Sequence, residues 1–136
     1  MKRILLLSLV LSSYLFAVDG YEVYKNNCAK CHVEIMKKSE VLKKFKTLKA
    51  PPMVEVSNRL KENIIIKDDD DDIHRYLFIL FVKDYIINPD LQNSMCHAGA
   101  IERFKVMPTQ KGKLNAKEAG AVAEWLYDRY EDIEFK

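Results

Sequence analysis

The string Cys28-Ala29-Lys30-Cys31-His32 constrains this chain more than any other five residues in it. Residues three apart on a helical turn face the same way, so Cys28 and Cys31 present both thiols on one side. His32 follows at once and adds an imidazole to the same turn. A bare Cys-x-x-Cys suggests thiol redox chemistry or zinc. The adjacent His shifts the reading. Two thiols can reach the vinyl groups on one edge of a haem, and the imidazole then falls beneath the ring, where it can ligate the iron.

Two other readings compete for the string. A thioredoxin-like disulfide wants the motif after a strand in a βαβ pattern, whereas here it follows a helix-like lead, Gly20 to Asn27. A structural zinc site needs four ligands, usually from two paired knuckles. Cys96 and His97 could supply the other two, but their spacing forms no second knuckle.

The N-terminus agrees with the haem reading. Lys2 and Arg3 form a basic start, and Ile4 to Phe16 is apolar apart from Ser8, Ser12, Ser13 and the amphipathic Tyr14. This is too short and too interrupted for a membrane span, which wants about twenty apolar residues. With the small Ala17 at its end, residues 1–17 read as a secretory signal peptide and 18–136 as the mature domain; an uncleaved membrane anchor is the alternative. Tyr76 to Val82 is also apolar, but charged residues bracket it closely.

Removing such a leader changes the charge argument. The chain has 22 Lys+Arg and 20 Asp+Glu; without Lys2 and Arg3 there are 20 of each. The remaining surface is bipolar rather than basic. Lysines gather between Lys37 and Lys49, while Asp68 to Asp72 form an unbroken acidic run. Nucleic-acid binding has no support, since no basic patch interleaved with aromatics remains. The acidic run sits where carboxylates favour a helix dipole, and consecutive Asp side chains diverge too much to make a good calcium site.

Residues 18–136 suit one domain. The chain is 49% hydrophobic with only four Gly and four Pro, and shows no strand alternation, so it reads as mainly α. Helices are predicted over 19–29, 34–48 and 54–66, broken by Ala50-Pro51-Pro52-Met53. In the second, Ile35, Leu42 and Phe45 form the expected apolar side. Ile73, Tyr76, Leu77, Leu80, Phe81 and Tyr85 predict a further helix that closes at Asn88-Pro89. The last helix is the clearest. Asn115 and Glu118 make a capping box, and Ala119, Val122, Ala123, Leu126 and Tyr130 its buried stripe, with Trp125 expected against the first helix.

At four separated places the chain resembles a class I cytochrome c. These are Gly20-x-x-x-Tyr24-x-x-x-Cys28-x-x-Cys31-His32, Ala50-Pro51-Pro52-Met53, Phe104-Lys105-Val106-Met107-Pro108 and Val122-Ala123-Glu124-Trp125-Leu126. The resemblance implies a single-domain fold of helices packed around one covalently attached haem c, with attachment outside the cytoplasm. It implies that Met107 is the second axial ligand, opposite His32. It also implies that the Pro51 carbonyl accepts a hydrogen bond from the non-ligating nitrogen of His32. A thioether is a soft, neutral ligand that favours ferrous iron, and Pro108 restricts Met107 to extended geometry.

The implied activity is one-electron transfer between a donor and an acceptor protein, with no enzymatic step. No Ser-His-Asp, paired-carboxylate or phosphate-loop arrangement offers independent catalysis. Rival ligands are His97, Cys96 and Met95; Met36, four residues beyond His32, is on the wrong side of the haem for opposite ligation, and Met53 and His74 suit structural roles better. Cys96 is the feature a simple carrier does not need, since two cysteines are consumed by haem. It opens a second reading, a sulfur-oxidation enzyme subunit; a ligand-binding haem sensor is a third, if Met107 does not coordinate. The Lys37 to Lys49 stretch is expected either to dock an acidic redox partner or to be a solvated helix face.

Overall fold

The computed structural model describes residues 17–67 and 70–136. All of the expected leader except Ala17 lies outside the described residues, as do Asp68 and Asp69 of the acidic run. The described chain is mainly α. Six helices follow in order: α1 (Gly20–Asn27), α2 (Lys38–Lys44), α3 (Met53–Asn63), α4 (Asp71–Ile87), α5 (Ala98–Phe104) and α6 (Ala116–Arg129). The one β feature among the described residues is a single bridge between Lys111 and Leu114.

Local chemistry explains where the better-defined helices start. The Asp19 carboxylate accepts from the Tyr21 and Glu22 amides and caps α1. Asp70 does the same for α4 through the Ile73 amide. Asn115 and Glu118 form the full capping box at α6: the Asn side chain takes the Glu118 amide, and the Glu118 carboxylate takes the Asn115 amide. Each satisfies donors that a helix start leaves orphaned.

Helix α6 is the hub. It packs on α1 and on α4, and α3 touches both α4 and α6. The α1 contact is close enough that a Cβ on Gly20 would overlap the Ala121 carbonyl oxygen and the Trp125 Cβ. Trp125 stacks on Tyr24 of α1 with ring centroids 4.6 Å apart. The predicted stripe of α6 is the observed one: Ala119, Val122, Ala123, Leu126 and Tyr130 are all buried. Phe78 of α4 meets Tyr127 of α6 edge to face at 5.0 Å.

Two elements differ from their sequence-based expectation. The helix expected over 34–48 is only α2, Lys38–Lys44. Upstream of it the backbone is used elsewhere: the Val33 carbonyl accepts from Met53 and the Glu34 carbonyl from Val54 and the Tyr130 hydroxyl. Those bonds serve amides at the start of α3, which begins one residue earlier than expected, at Met53. Val41 is the buried residue of α2, while Ile35 and Leu42 are 50% and 69% exposed.

Helix α4 exists where expected but is rotated relative to the expected apolar side. Its buried residues are Phe78 and Val82, and Ile73, Tyr76, Leu77 and Leu80 face outward. Contact with α6 decides between two apolar stripes that both have helical spacing. Helix α5 is short and buries none of its residues.

Candidate functional site

The Cys28–His32 string continues the last turn of α1. The Cys28 and Ala29 amides bond the Tyr24 carbonyl, and the Cys31 and His32 amides bond the Cys28 carbonyl at 3.0 and 2.9 Å. The Tyr24 hydroxyl donates to the His32 carbonyl at 2.8 Å, tying the end of the string back to α1. His32 Nδ1 lies 2.8 Å from the Pro51 carbonyl oxygen. A carbonyl only accepts, so Nδ1 carries the proton and the neutral ring keeps its lone pair on Nε2.

Cys28, Cys31, His32, Pro51 and Met107 all line one cavity of about 240 Å³. Its walls are largely apolar: Met53, Val56 and Leu60 from α3, Phe81, Val82, Tyr85 and Ile86 from α4, and Val122 and Leu126 from α6. Burial pushes the Cys28 thiol up to about 11, with the neighbouring Cys31 adding to the effect, so the thiol stays protonated at neutral pH. Burial also lowers the His32 pKa and so favours the neutral imidazole, outweighing the Pro51 bond, which acts to raise it.

Met107 comes from a loop fastened on both sides. Before it, the Arg103 guanidinium donates to the carbonyls of Phe45, Lys46 and Leu48, and Phe104 meets Phe45 edge to face at 5.4 Å. After it, the Gln110 amide donates to the Ile86 carbonyl at 2.8 Å, the Gln110 side chain to the Pro108 carbonyl, and the Thr109 hydroxyl to the Ile87 carbonyl. Arg103 and Gln110 therefore shape the site although sequence reading passed over them. The bonds of Arg103 to Phe45, Lys46 and Leu48 and of the Gln110 amide to Ile86 carry no local signal, because those partners lie more than twenty residues away.

The rival ligands separate by position. Met53, Met95 and Cys96 line the cavity, and Cys96 is an exposed free cysteine. His97, Met36 and His74 are not among its lining residues. His97 precedes α5, contacts the Arg59 guanidinium and faces a smaller pocket with Glu55. His74 bonds the Tyr127 hydroxyl and the Lys61 carbonyl. No group of three or more His, Cys, Asp or Glu suited to a metal ion is gathered among the described residues, so Cys96 and His97 do not complete a zinc site with the string.

Four exposed lysines, Lys30, Lys49, Lys105 and Lys113, stand among the cavity-lining residues. Of the Lys37 to Lys49 stretch only Lys49 is one of them. Among the described residues no helix is long and apolar enough to cross a membrane.

The described residues thus define an all-α protein with an apolar cavity that gathers two thiols, an imidazole and a thioether. The chain belongs to one family with an uncharacterized protein of Aquifex aeolicus (strain VF5), to which it is 41% identical over 145 residues, spanning 96% of this chain and 90% of that protein. No family model matches the chain, and no solved structure matches it.

Proposed function

We propose that this protein is an exported monohaem c-type cytochrome of the class I kind, carrying single electrons between redox partners. The observation that carries the reading is the convergence of Cys28, Cys31, His32 and Met107 on one apolar cavity, with His32 oriented by Pro51. The donor set fits haem c: two thiols on one turn, a neutral imidazole with Nε2 available, a thioether from a separate loop, and apolar walls. Bound there, haem c supplies a one-electron ferric/ferrous couple.

The chain's own residues then have distinct tasks. Cys28 and Cys31 hold the group through thioether bonds. The Pro51 carbonyl fixes the His32 tautomer and raises the basicity of Nε2. Met107 completes the ligand set and leaves no position for a substrate, which suits a carrier rather than an enzyme. The apolar walls exclude water and keep the reorganisation on electron transfer small. The exposed Lys30, Lys49, Lys105 and Lys113 give the cavity a cationic rim suited to an acidic redox partner. Donor and acceptor would dock there rather than over the middle of the Lys37 to Lys49 stretch.

The experiment is expression with export and a c-type haem maturation system. Intact mass after denaturation is expected to include one haem, lost in the Cys28→Ala/Cys31→Ala double variant. A chain of bare polypeptide mass, with Cys28 and Cys31 joined as a disulfide, contradicts the reading.

One observation favours a second reading. Cys96 lines the cavity with an exposed thiol, as a sulfur-oxidising haem enzyme subunit would need. Cys96→Ala separates the two: an unaltered spectrum and electron-transfer rate remove the motive for sulfur chemistry. Carbon monoxide binding to the ferrous form would instead favour the haem-sensor reading.

A further inference from the structure

A second, smaller cavity of about 40 Å³ adjoins the one that gathers Cys28, Cys31, His32 and Met107. The two share Pro51, Val56, Leu60, Met95, Cys96 and Ala100 as walls. The smaller one is set apart by its polar lining: Glu55 and Arg59 from α3, and His97 just before α5. It has room for water. Two of its lining residues, Cys96 and His97, are exposed, so protons from solvent reach it.

Glu55 is the unmatched group in this pocket. It is half-buried, and its carboxylate takes part in none of the ion pairs or side-chain hydrogen bonds among the described residues. The Arg59 guanidinium is engaged elsewhere: it contacts His97 Nε2 and lies 3.3 Å from the Glu62 carboxylate. Lys38 of α2 acts on Glu55 only through space. Burial raises the Glu55 pKa, and Arg59, His97 and Lys38 oppose the rise without cancelling it. A carboxylate in this setting also responds to charge placed beside it. An electron added in the adjoining cavity makes proton binding to Glu55 more favourable. His97 and Cys96 are exposed, and solvent screens them from the same charge.

We infer that Glu55, in the pocket it shares with Arg59 and His97, is a redox-linked proton site. It binds one proton from solvent when the protein takes up an electron and releases it when the electron leaves. The inference rests on the cytochrome reading of the larger cavity. The donor protein supplies the electron and solvent the proton; only the Glu55 O–H bond forms and breaks. A neutral Glu55 favours the reduced state and an ionised Glu55 the oxidised one. The reduction potential therefore falls as pH rises through the window in which Glu55 loses its proton, and is level on either side.

Potentiometric titration of the haem-loaded full chain across a pH series tests it, for wild type, Glu55→Gln and His97→Gln, with the intact mass of each sample taken first. The wild type is expected to bind the proton about tenfold more tightly when reduced, a total fall of about 59 mV for a one-electron couple. The window should be centred above the ordinary carboxylate range. Glu55→Gln should remove most of the fall and leave the far-red sulfur-to-iron band unchanged, whereas His97→Gln should keep the fall. Reducing the wild type in weakly buffered solution within the window should raise the pH, and reducing Glu55→Gln should not. A potential independent of pH overturns the inference and leaves the cytochrome reading standing. A fall unchanged in Glu55→Gln, or lost in His97→Gln, also overturns it and assigns the proton to His97 or to the carboxylates of the haem. A chain that carries no haem overturns both.

Discussion

Lys105 stands two residues before Met107 with φ 63° and ψ −172°. That region of backbone space is nearly restricted to glycine and costs a side chain on the order of 1–3 kcal/mol. The conformation ends α5 and turns the chain toward the cavity, and the bonds of Arg103 on one side and Gln110 on the other hold it there. Lys105→Gly is therefore expected to stabilise the protein by about 1 kcal/mol, the relief being partly offset by the freer unfolded chain. Chemical denaturation checks this; a loss of stability would mean that the lysine side chain makes contacts outweighing the strain. His32 shows the same principle of local restraint. Its ring is set by Pro51 and its backbone by Tyr24, so its orientation is fixed by protein contacts.

At the scale of elements, the α1–α6 contact depends on one missing side chain. A methyl group on Gly20 would meet Ala121 backbone and the Trp125 Cβ, neither of which can swing aside. Gly20→Ala is expected to cost about 3 kcal/mol, at the upper end of ordinary overpacking, and to displace α1 with the Cys28–His32 turn at its end. Denaturation of the variant beside wild type measures the loss; a cost below about 0.5 kcal/mol, within the range of a neutral surface change, would show that the two helices can separate freely. The same elements show what was legible in sequence. The Cys28–His32 turn and the α6 capping box could be read because their chemistry is local, completed within five residues. The buried stripe of α6 could be read because its outer face is charged. The inner side of α4 could not, because apolar residues occur on both of its faces and only contact with Tyr127 and its neighbours selects Phe78 over Leu77. The shortening of α2 was hidden for a similar reason: the carbonyls of Val33 and Glu34 bond to α3 and Tyr130, distant in sequence.

At the scale of the whole molecule, the folded chain redistributes the charge pattern. Lysines distant in sequence, Lys30, Lys49, Lys105 and Lys113, meet around one cavity, while Lys43 and Lys44 on α2 are not among its lining residues. Reversing Lys30 and Lys113 to Glu is expected to slow transfer to an acidic partner by about tenfold at low ionic strength, with the difference vanishing in high salt. Lys43→Glu/Lys44→Glu should have little effect. Stopped-flow rates across a salt series decide this, and a larger effect from Lys43 and Lys44 would move the docking surface to α2.

The central claim, an iron held between His32 and Met107 and closed to substrate, is tested most directly by optical spectra of the haem-loaded protein. Ferric and ferrous forms should be recorded with and without carbon monoxide, for wild type and Met107→Ala. The account predicts a low-spin wild type with a weak far-red sulfur-to-iron band and indifference to carbon monoxide. Met107→Ala should lose that band and bind carbon monoxide. Ready carbon monoxide binding by the wild type, or a Met107→Ala spectrum identical to it, would contradict the account.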